Sequence, residues 1–436
     1  MSRRTLGAFA GALTLAVLGA LAPASSAVSA PRPTPGSFTG VAFDTRCAPS
    51  NAEMDAWRTG SPFWGVGVYI GGSNRQCKDQ TYLDAGWVRR QSRRGWRVLP
   101  IWVGPQASCA QREYASVVSP EPAGGYRAAR REGRRQAFHA VQAARALGIP
   151  AGSTLWYDME DYPLAGDDCR RSVLNFLSSW SRRLHQLGFV SGVYANVAAA
   201  IASIDFADKV SPTAYVEPDQ VWYAWDNGRA DTWIRRSWVR PSSWAPHRRI
   251  HQFRLDRSAT YGGVTLSIDR SFMDVGRGSV APSPRRTCGV RVDFARYRLL
   301  TRGARSGQVK AAQCLLRQHG FDVGRITGRF TRPTVRATRG FQRSRHLRVS
   351  GAMTASTWTA LLSAGSSPVL KQGSASDAVR RVQRALNAAT GARLDVTGIF
   401  DRATTAAVSD YQKSLGLPAT GVVASDTWAE FQSGAR

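Results

Sequence analysis

The sequence predicts an α/β fold: a TIM-like (β/α)8 barrel followed by two small all-α modules of three helices each. Eight short runs of β-branched and aromatic residues alternate with helical patterns over residues 38–274, as expected for parallel strands joined by crossover helices. The C-terminal part repeats itself with a constant offset of 70 residues. A length of 436 residues accommodates such a barrel, which runs to about 250 residues, together with small modules.

The eight strand candidates follow one another at short intervals. They are Phe38–Asp44, Gly65–Ile70, Arg97–Val103, Ser153–Glu160, Phe189–Ala195, Gln220–Asp226, Arg249–Arg254 and Thr265–Asp269. Helical patterns lie between them, as in Tyr82–Arg94, Gly125–Leu147 and Cys169–Leu187, and in the last of these the apolar residues recur every three or four positions on one face. The last three strand candidates are accompanied by little helical pattern.

The N-terminus has the pattern of an export signal. Arg3 and Arg4 precede an apolar run, Leu6–Ala22, and Ser25–Ala27 offers small residues for cleavage. The run is short for a membrane span, which needs about 20 apolar residues, and the arginine pair leaves Sec and twin-arginine export both open. The chain then divides into a signal peptide over 1–27, a linker over 28–37, the barrel over 38–274, a linker over 275–296, and repeats over 297–363 and 369–434.

The charge of the chain is strongly positive and unevenly distributed. Lys and Arg number 59 against 30 Asp and Glu, so anionic partners are expected. Residues 285–364 carry 17 basic and 2 acidic side chains, whereas residues 365–436 carry 8 and 6. On charge alone, the basic segment would also fit a nucleic-acid binder.

The six cysteines form an even set without a CxxC pair. In an exported protein this favours disulfides, with free buried thiols as the alternative. Strand order suggests the pairs Cys47–Cys77, Cys109–Cys169 and Cys288–Cys314. No HExxH motif and no Cys/His spacing indicates zinc, and no phosphate-binding glycine loop is present, so no metal or cofactor is expected.

The C-terminal repeat has a specific residue spacing. Phe341-Gln342, Leu347, Gly351 and Trp358 recur as Tyr411-Gln412, Leu417, Gly421 and Trp428. This spacing resembles the peptidoglycan-binding repeat of bacterial wall enzymes, and the resemblance implies peptidoglycan as a partner. Most of the Gln, Trp and Gly residues are interpreted as packing residues of a small helical module.

Carboxylates close several of the predicted strands, where a barrel of this type has its site. Asp158 and Glu160 share one face of a strand, about 6.5 to 7 Å apart, and Asp44 and Asp269 end the first and eighth strands. Glycoside cleavage needs one protonated carboxyl and a second group that stabilises positive charge. We assign Glu160 as the general acid, Asp158 as its ionised neighbour orienting a water or an acetamido group, and the other two as an acidic floor. The alternative is that these acids cap helices or pair with arginines.

Six stretches carry a further resemblance, to the bacterial glycoside-hydrolase-like domain related to family 25 lysozymes. They are Phe43–Thr45, Trp156–Glu160, Gly192–Tyr194, Val221–Trp225, His251–Phe253 and Ile268–Arg270. The resemblance covers about Phe38–Asp274 and implies that Asp44, Asp158, Glu160 and Asp269 are the catalytic positions. Around them we expect a substrate-binding set of Tyr69, Tyr157, Tyr194, Trp222, Trp225 and Gln252.

Together these patterns predict a secreted, cell-wall-associated glycoside hydrolase of the muramidase type, held on peptidoglycan by its two repeats. The basic first repeat adds attraction to anionic wall polymers. Export and the repeat pattern argue against nucleic acid as a partner. The alternative hypothesis is a non-catalytic wall-binding or saccharide-binding protein whose barrel keeps a cleft without turnover.

Overall fold

A computed structural model describes residues 32–165, 167–284 and 288–436, so the predicted signal peptide lies outside the described residues. Eight strands close into a barrel in sequence order. They are β1 (Phe38–Asp44), β2 (Gly65–Gly71), β3 (Arg97–Trp102), β4 (Thr154–Met159), β5 (Val190–Asn196), β6 (Gln220–Ala224), β7 (Arg248–Tyr261) and β8 (Val264–Val275). The predicted barrel is confirmed, and the strand positions agree to within a few residues except at the longer β7 and β8.

The direction of the last strand differs from the eight parallel strand–helix units that the sequence suggested. Strands β1 to β7 are parallel to their successive neighbours, whereas β8 runs antiparallel to both β7 and β1. The reason is a tight hairpin: Gly262 and Gly263, with φ of 57° and 78°, adopt the left-handed backbone that a two-residue turn requires. The segment between β6 and β7, all of it described, forms turns and no helix.

Helices cover the outside of the other strands. They are α1 (Asn51–Gly60), α2 (Ala85–Arg93), α3 (Ala123–Ala146), α4 (Asp167–Gln186) and α5 (Ala202–Val210), the last preceded by a π-helical segment, Val197–Ile201. One apolar core lies between strands and helices, and a second, containing Trp156 and Trp222, fills the barrel interior. Among the described residues, no helix combines the length and apolar character needed to cross a membrane.

The two repeats fold alike. Helices α6 (Gly307–Gln318), α7 (Arg332–Ser344) and α8 (Ala355–Ser363) form the first, and α9 (Asp377–Ala389), α10 (Arg402–Ser414) and α11 (Ser425–Ser433) the second. Trp358 and Trp428 are fully buried in the respective cores. Gln342 accepts a hydrogen bond from the Gly351 N–H at 2.9 Å, and Gln412 accepts one from Gly421 at the same distance. The repeat's signature residues therefore hold each module together from inside.

A short segment of the second repeat, residues 369–374, covers the N-terminal end of the barrel; we call it the docking loop. Val369 packs against the interior core of the barrel. The Trp64 indole, just before β2, donates a hydrogen bond to Ser374 Oγ at 3.1 Å, and Ser279 Oγ donates one to the Gly373 carbonyl at 2.8 Å. The second repeat thus closes the end of the barrel opposite to the carboxyl ends of β1 to β7.

Lys371 is the centre of this contact and is fully buried. Its ammonium donates hydrogen bonds to the carbonyl oxygens of Arg58, at 2.9 Å, and Ser61, at 3.0 Å. It also lies 4.3 Å from the ring centroid of Trp64 and 4.9 Å from that of Trp96, as in a cation–π contact. Burial lowers the pKa of Lys371 well below its usual range, because desolvation disfavours the charged form.

Candidate functional site

A cleft of about 740 Å³ opens at the carboxyl ends of the parallel strands, and all four predicted carboxylates line it. Asp44 is the last residue of β1, Asp158 lies in β4, and Glu160 follows that strand directly. Asp269 was expected at a strand end but lies in the middle of β8. It reaches the same rim because β8 runs antiparallel and pairs Asp269 with Asp44.

The four carboxylates lie at two depths. Asp44 is 4% exposed and Asp158 is 1% exposed, so both lie beneath the surface of the cleft. Glu160 and Asp269 are half-buried and reach the open space. A saccharide in the cleft can therefore contact Glu160 and Asp269 directly, with the other two carboxyls below them.

Burial raises the pKa of both Asp158, in β4, and Glu160, directly after this strand. For Asp158 the pKa rises well above its usual range, first because of burial and then because of Glu160 and Asp44. Burial also raises the pKa of Glu160, but the Arg112 guanidinium opposes the increase. Among the described residues, Asp158 Oδ1 has no hydrogen-bond partner. Burial thus favours the neutral form of Asp158, whereas the sequence analysis assigned it the role of the ionised neighbour.

Gln252 joins the other two acids to an aromatic side chain. Its amide nitrogen donates hydrogen bonds to Asp44 Oδ1 at 3.1 Å and to Asp269 Oδ2 at 3.2 Å, while its oxygen accepts one from the Tyr194 hydroxyl at 2.8 Å. Burial and the charge of Asp269 raise the pKa of Asp44 well above its usual range, although Gln252 opposes the increase. Gln252 is 1% exposed, so it positions these carboxylates from below the cleft.

The pKa of Asp269 is raised as well. Burial raises its pKa to about 6, although the Asp256 N–H, which donates a hydrogen bond to Oδ1 at 2.6 Å, opposes the increase. At neutral pH most of the Asp269 carboxyl is ionised. The cleft therefore offers an ionised Asp269 together with Asp44 and Asp158, whose more strongly raised pKa values favour the neutral form.

Three of the expected substrate-binding aromatic residues lie in or beneath the cleft. Tyr69 and Tyr194 line it. Trp222 is fully buried in the barrel, with its ring centroid 5.5 Å from that of Tyr194, so it supports the cleft from below. Two tyrosine side chains thus reach the cleft, and the indole does not.

Tyr157 and Trp225 lie outside the cleft, so their prediction as substrate-binding residues is wrong. Tyr157 packs on Phe176 of α4 with ring centroids 4.8 Å apart, and its hydroxyl donates a hydrogen bond to the Pro105 carbonyl at 2.6 Å. Neighbouring side chains of a strand point to opposite faces, so a residue next to Asp158 must point outward. Trp225 packs on the outer layer, against Trp238 at 5.1 Å.

The sequence analysis missed Gln106, which fixes the backbone around the two acids of β4 and its end. Gln106 is fully buried; its amide nitrogen donates a hydrogen bond to the Asp158 carbonyl at 2.7 Å, and its oxygen accepts one from the Glu160 N–H at 2.8 Å. The same loop after β3 brings Arg112 and Tyr114 to the cleft. Burial and the charge of Glu160 raise the pKa of Tyr114 to about 12. The available signal was the length of this loop, because loops after barrel strands form the site.

All six cysteines are paired, in the combinations suggested by strand order. Cys47–Cys77 joins the loops after β1 and β2, and Cys109–Cys169 ties the loop after β3 to α4. Both bonds therefore restrain segments at the cleft end of the barrel. Cys288–Cys314 ties the segment before the first repeat to α6.

Several solved structures are similar to this chain. An uncharacterized protein of B. stearothermophilus has 19% identity and a TM-score of 0.37, covering 54% of this chain and 95% of that chain. The Tat-secreted protein Rv2525c of Mycobacterium tuberculosis, solved with L-tartrate, has 17% identity and a TM-score of 0.36 over 54% and 95%. A family 25 glycosyl hydrolase of Bacillus anthracis has 13% identity and a TM-score of 0.33 over 55% and 91%. No curated protein matches the sequence.

Family models match both parts of the chain. The peptidoglycan binding domain matches residues 305–361 and again residues 375–430. The Rv2525c-like, glycoside hydrolase-like domain matches residues 55–273, half of the chain. The protein therefore belongs to the Rv2525c-like glycoside hydrolase-like family and carries two peptidoglycan binding repeats.

Proposed function

We propose that this protein is a secreted, cell-wall-directed glycoside hydrolase that cleaves the glycan chain of peptidoglycan in the manner of a muramidase. The observation that carries the proposal is the convergence of Asp44, Asp158, Glu160 and Asp269 on one open cleft. Raised pKa values keep part of this acid cluster protonated, as glycoside cleavage requires. The two peptidoglycan binding repeats supply the polymer on which such a cleft would act.

In the proposed reaction Glu160 is the general acid. It reaches the cleft, burial raises its pKa, and Gln106 accepts a hydrogen bond from its backbone N–H. Asp269, with a pKa of about 6, is the carboxylate that activates a water molecule. Asp158 takes a revised role: in its neutral form, beneath the cleft, it limits the negative charge next to Glu160. Tyr69 and Tyr194 line the space that the same ligand would occupy.

An oxidising, extracellular location at the wall supports this function. Three disulfides are typical of exported proteins and are rare in the bacterial cytosol. The predicted export signal and the peptidoglycan binding repeats agree with that location. Tethering by the repeats raises the local concentration of the cleft at its polymer.

The decisive experiment is Glu160→Gln. Loss of the general acid should reduce the release of new reducing ends from purified peptidoglycan by about 100-fold or more, with binding to the same material unchanged. The matched control is Glu217→Gln, because Glu217 is also partly buried with a raised pKa but does not line the cleft. Unchanged release by Glu160→Gln would remove this residue from the mechanism.

A second candidate is a saccharide-binding protein without turnover. The observation that favours it is the deep position of Asp158 and Asp44, which leaves two carboxylates in contact with the cleft. On this reading, the wild-type protein releases no reducing ends over long incubation, while soluble glycan fragments still bind. Tyr194→Phe, which removes one cleft hydroxyl, would then weaken that binding.

A further inference from the structure

The first repeat carries positive charge that the described part of the molecule leaves uncompensated. None of the basic side chains in residues 288–364 forms an ion pair with an acid among the residues that the structure describes. One of the two acids in this region, Asp293, forms an ion pair with Arg384 of the second repeat, with 2.6 Å between Oδ1 and Nε. The second repeat, by contrast, pairs Arg380 with Asp377 and Lys413 with Asp410. The first repeat is therefore the part of the molecule best suited to an anionic ligand.

This charge surrounds a groove of about 570 Å³, which we call the arginine groove. It is lined by Arg291, Phe294, Ala295, Arg296, Tyr297, Arg298, Leu299 and Gln308. The three arginines are exposed, and Leu299 is 65% exposed. The groove thus combines guanidinium groups with apolar and aromatic surface, which suits a ligand of alternating anionic and carbon-rich units.

The backbone of the arginine groove is held in place before any ligand arrives. Gln308 accepts a hydrogen bond from the Arg298 N–H at 2.8 Å and donates one to the Arg296 carbonyl at 2.7 Å. The Trp358 indole donates to the Arg298 carbonyl at 2.9 Å, and Cys288–Cys314 ties the start of the segment to α6. Such preorganisation lowers the conformational entropy lost on binding.

The groove is specific to this repeat. It is built mainly by residues 291–299, which precede the first matched residue of the repeat family, 305. The positions offset by 70, residues 361–369, read LLSAGSSPV and contain no Lys or Arg. The second repeat therefore has no counterpart of this basic surface.

We propose that the arginine groove binds a phosphate-bearing polymer of the cell wall, a polyol chain linked by phosphodiesters, at a site separate from the cleft. Planar guanidinium groups bind phosphate oxygens in a two-pronged geometry, and the apolar and aromatic side chains of the groove can contact the polyol carbons. The disulfide beside the groove belongs to an oxidising compartment outside the cytoplasm, which favours a wall polymer over nucleic acid.

The test uses the full-length protein and poly(glycerol phosphate), with binding measured by titration calorimetry at fixed ionic strength. Arg296→Gln combined with Arg298→Gln should weaken binding by about tenfold, a value typical of two charge-assisted contacts. The control combines Arg336→Gln with Arg343→Gln, two exposed arginines of α7 outside the groove. It removes the same charge and should weaken binding by less than about threefold.

Equal losses in the two double variants, or no binding by the wild type, would overturn the proposal. So would equally tight binding of a duplex DNA of matched charge, because it would show attraction to any polyanion. A clear preference for poly(glycerol phosphate) over polygalacturonate, whose charges are carboxylates, would support phosphate as the recognised group. The assay contains no peptidoglycan, so its result is independent of the proposed hydrolysis.

Discussion

The two repeats share a sequence pattern and a fold, yet the equivalent loop is buried in one repeat and exposed in the other. In the second repeat, Lys371 is fully buried against the barrel and Val369 packs on its interior core. The equivalent residues of the first, Thr301 and Leu299, are exposed. The loop of the second repeat covers one end of the barrel, whereas the equivalent loop of the first repeat is exposed. Membership of a binding family therefore does not say which face of a module is available.

The largest effect is expected at Lys371. Lys371→Ala should lower the free energy of unfolding by about 2–3 kcal/mol, because two buried carbonyl oxygens lose their donor and two tryptophan rings lose a cation. The equivalent Thr301→Ala should change it by less than about 0.5 kcal/mol. Urea unfolding of the two variants measures the difference. Equal losses of unfolding free energy in the two variants would contradict the difference between the docked and the exposed loop.

A smaller difference is expected at Val369 and its equivalent Leu299, each of which precedes a leucine that both repeats contain, Leu370 and Leu300. Val369→Ala removes half-buried carbons from the end of the barrel and should cost about 1 kcal/mol. Leu299→Ala removes carbons that are 65% exposed and should cost about 0.3 kcal/mol. Thermal unfolding under identical conditions compares them, and a larger cost for Leu299 would mean that the first repeat is packed against another surface.

The two ends of the barrel should respond to pH in opposite directions. A folded-state pKa raised to about 6 means that Asp269 favours folding below its unfolded pKa, near 4, and loses that advantage as the pH rises through 6. Asp269→Asn should therefore stabilise the protein at pH 7 by up to about 1 kcal/mol, and have little effect at pH 3.

The lowered pKa of Lys371 has the opposite sign: stability increases as the pH rises through its folded value towards the unfolded one, near 10.4. Unfolding free energies at pH 3, 5, 7 and 9 separate the two ends. An Asp269→Asn variant whose stability follows the wild-type curve at every pH would contradict the assignment of this carboxylate.

Much of the barrel could be predicted because its strands are short apolar runs separated by helical patterns. The direction of β8 was also readable: Gly262-Gly263 between two β-rich runs is a hairpin signal, but the count of eight strands suggested a regular barrel instead. Likewise, successive side chains of a strand point to opposite faces, and this rule placed Asp158 and Glu160 on the same face. The same rule places Tyr157, next to Asp158, on the outer face.

Other features could not be predicted because they depend on contacts between distant parts of the chain. The amide of Gln106 joins a loop to the end of β4, and nothing in its own surroundings marks it as a positioning residue. The docking loop carries the same repeat pattern as its exposed counterpart. Only the folded molecule brings Lys371 between Trp64 and Trp96.

The docking loop also determines which fragments of this protein can be stable on their own. A fragment ending at residue 284 would contain every strand and every cleft carboxylate, yet it would leave Trp64 and Trp96, now 8% and 3% exposed, facing water at an uncovered end. Apolar rings exposed in this way promote self-association. The unit that an investigator would isolate as the hydrolase-like half is thus structurally incomplete, and its shortest self-sufficient form extends through the second repeat.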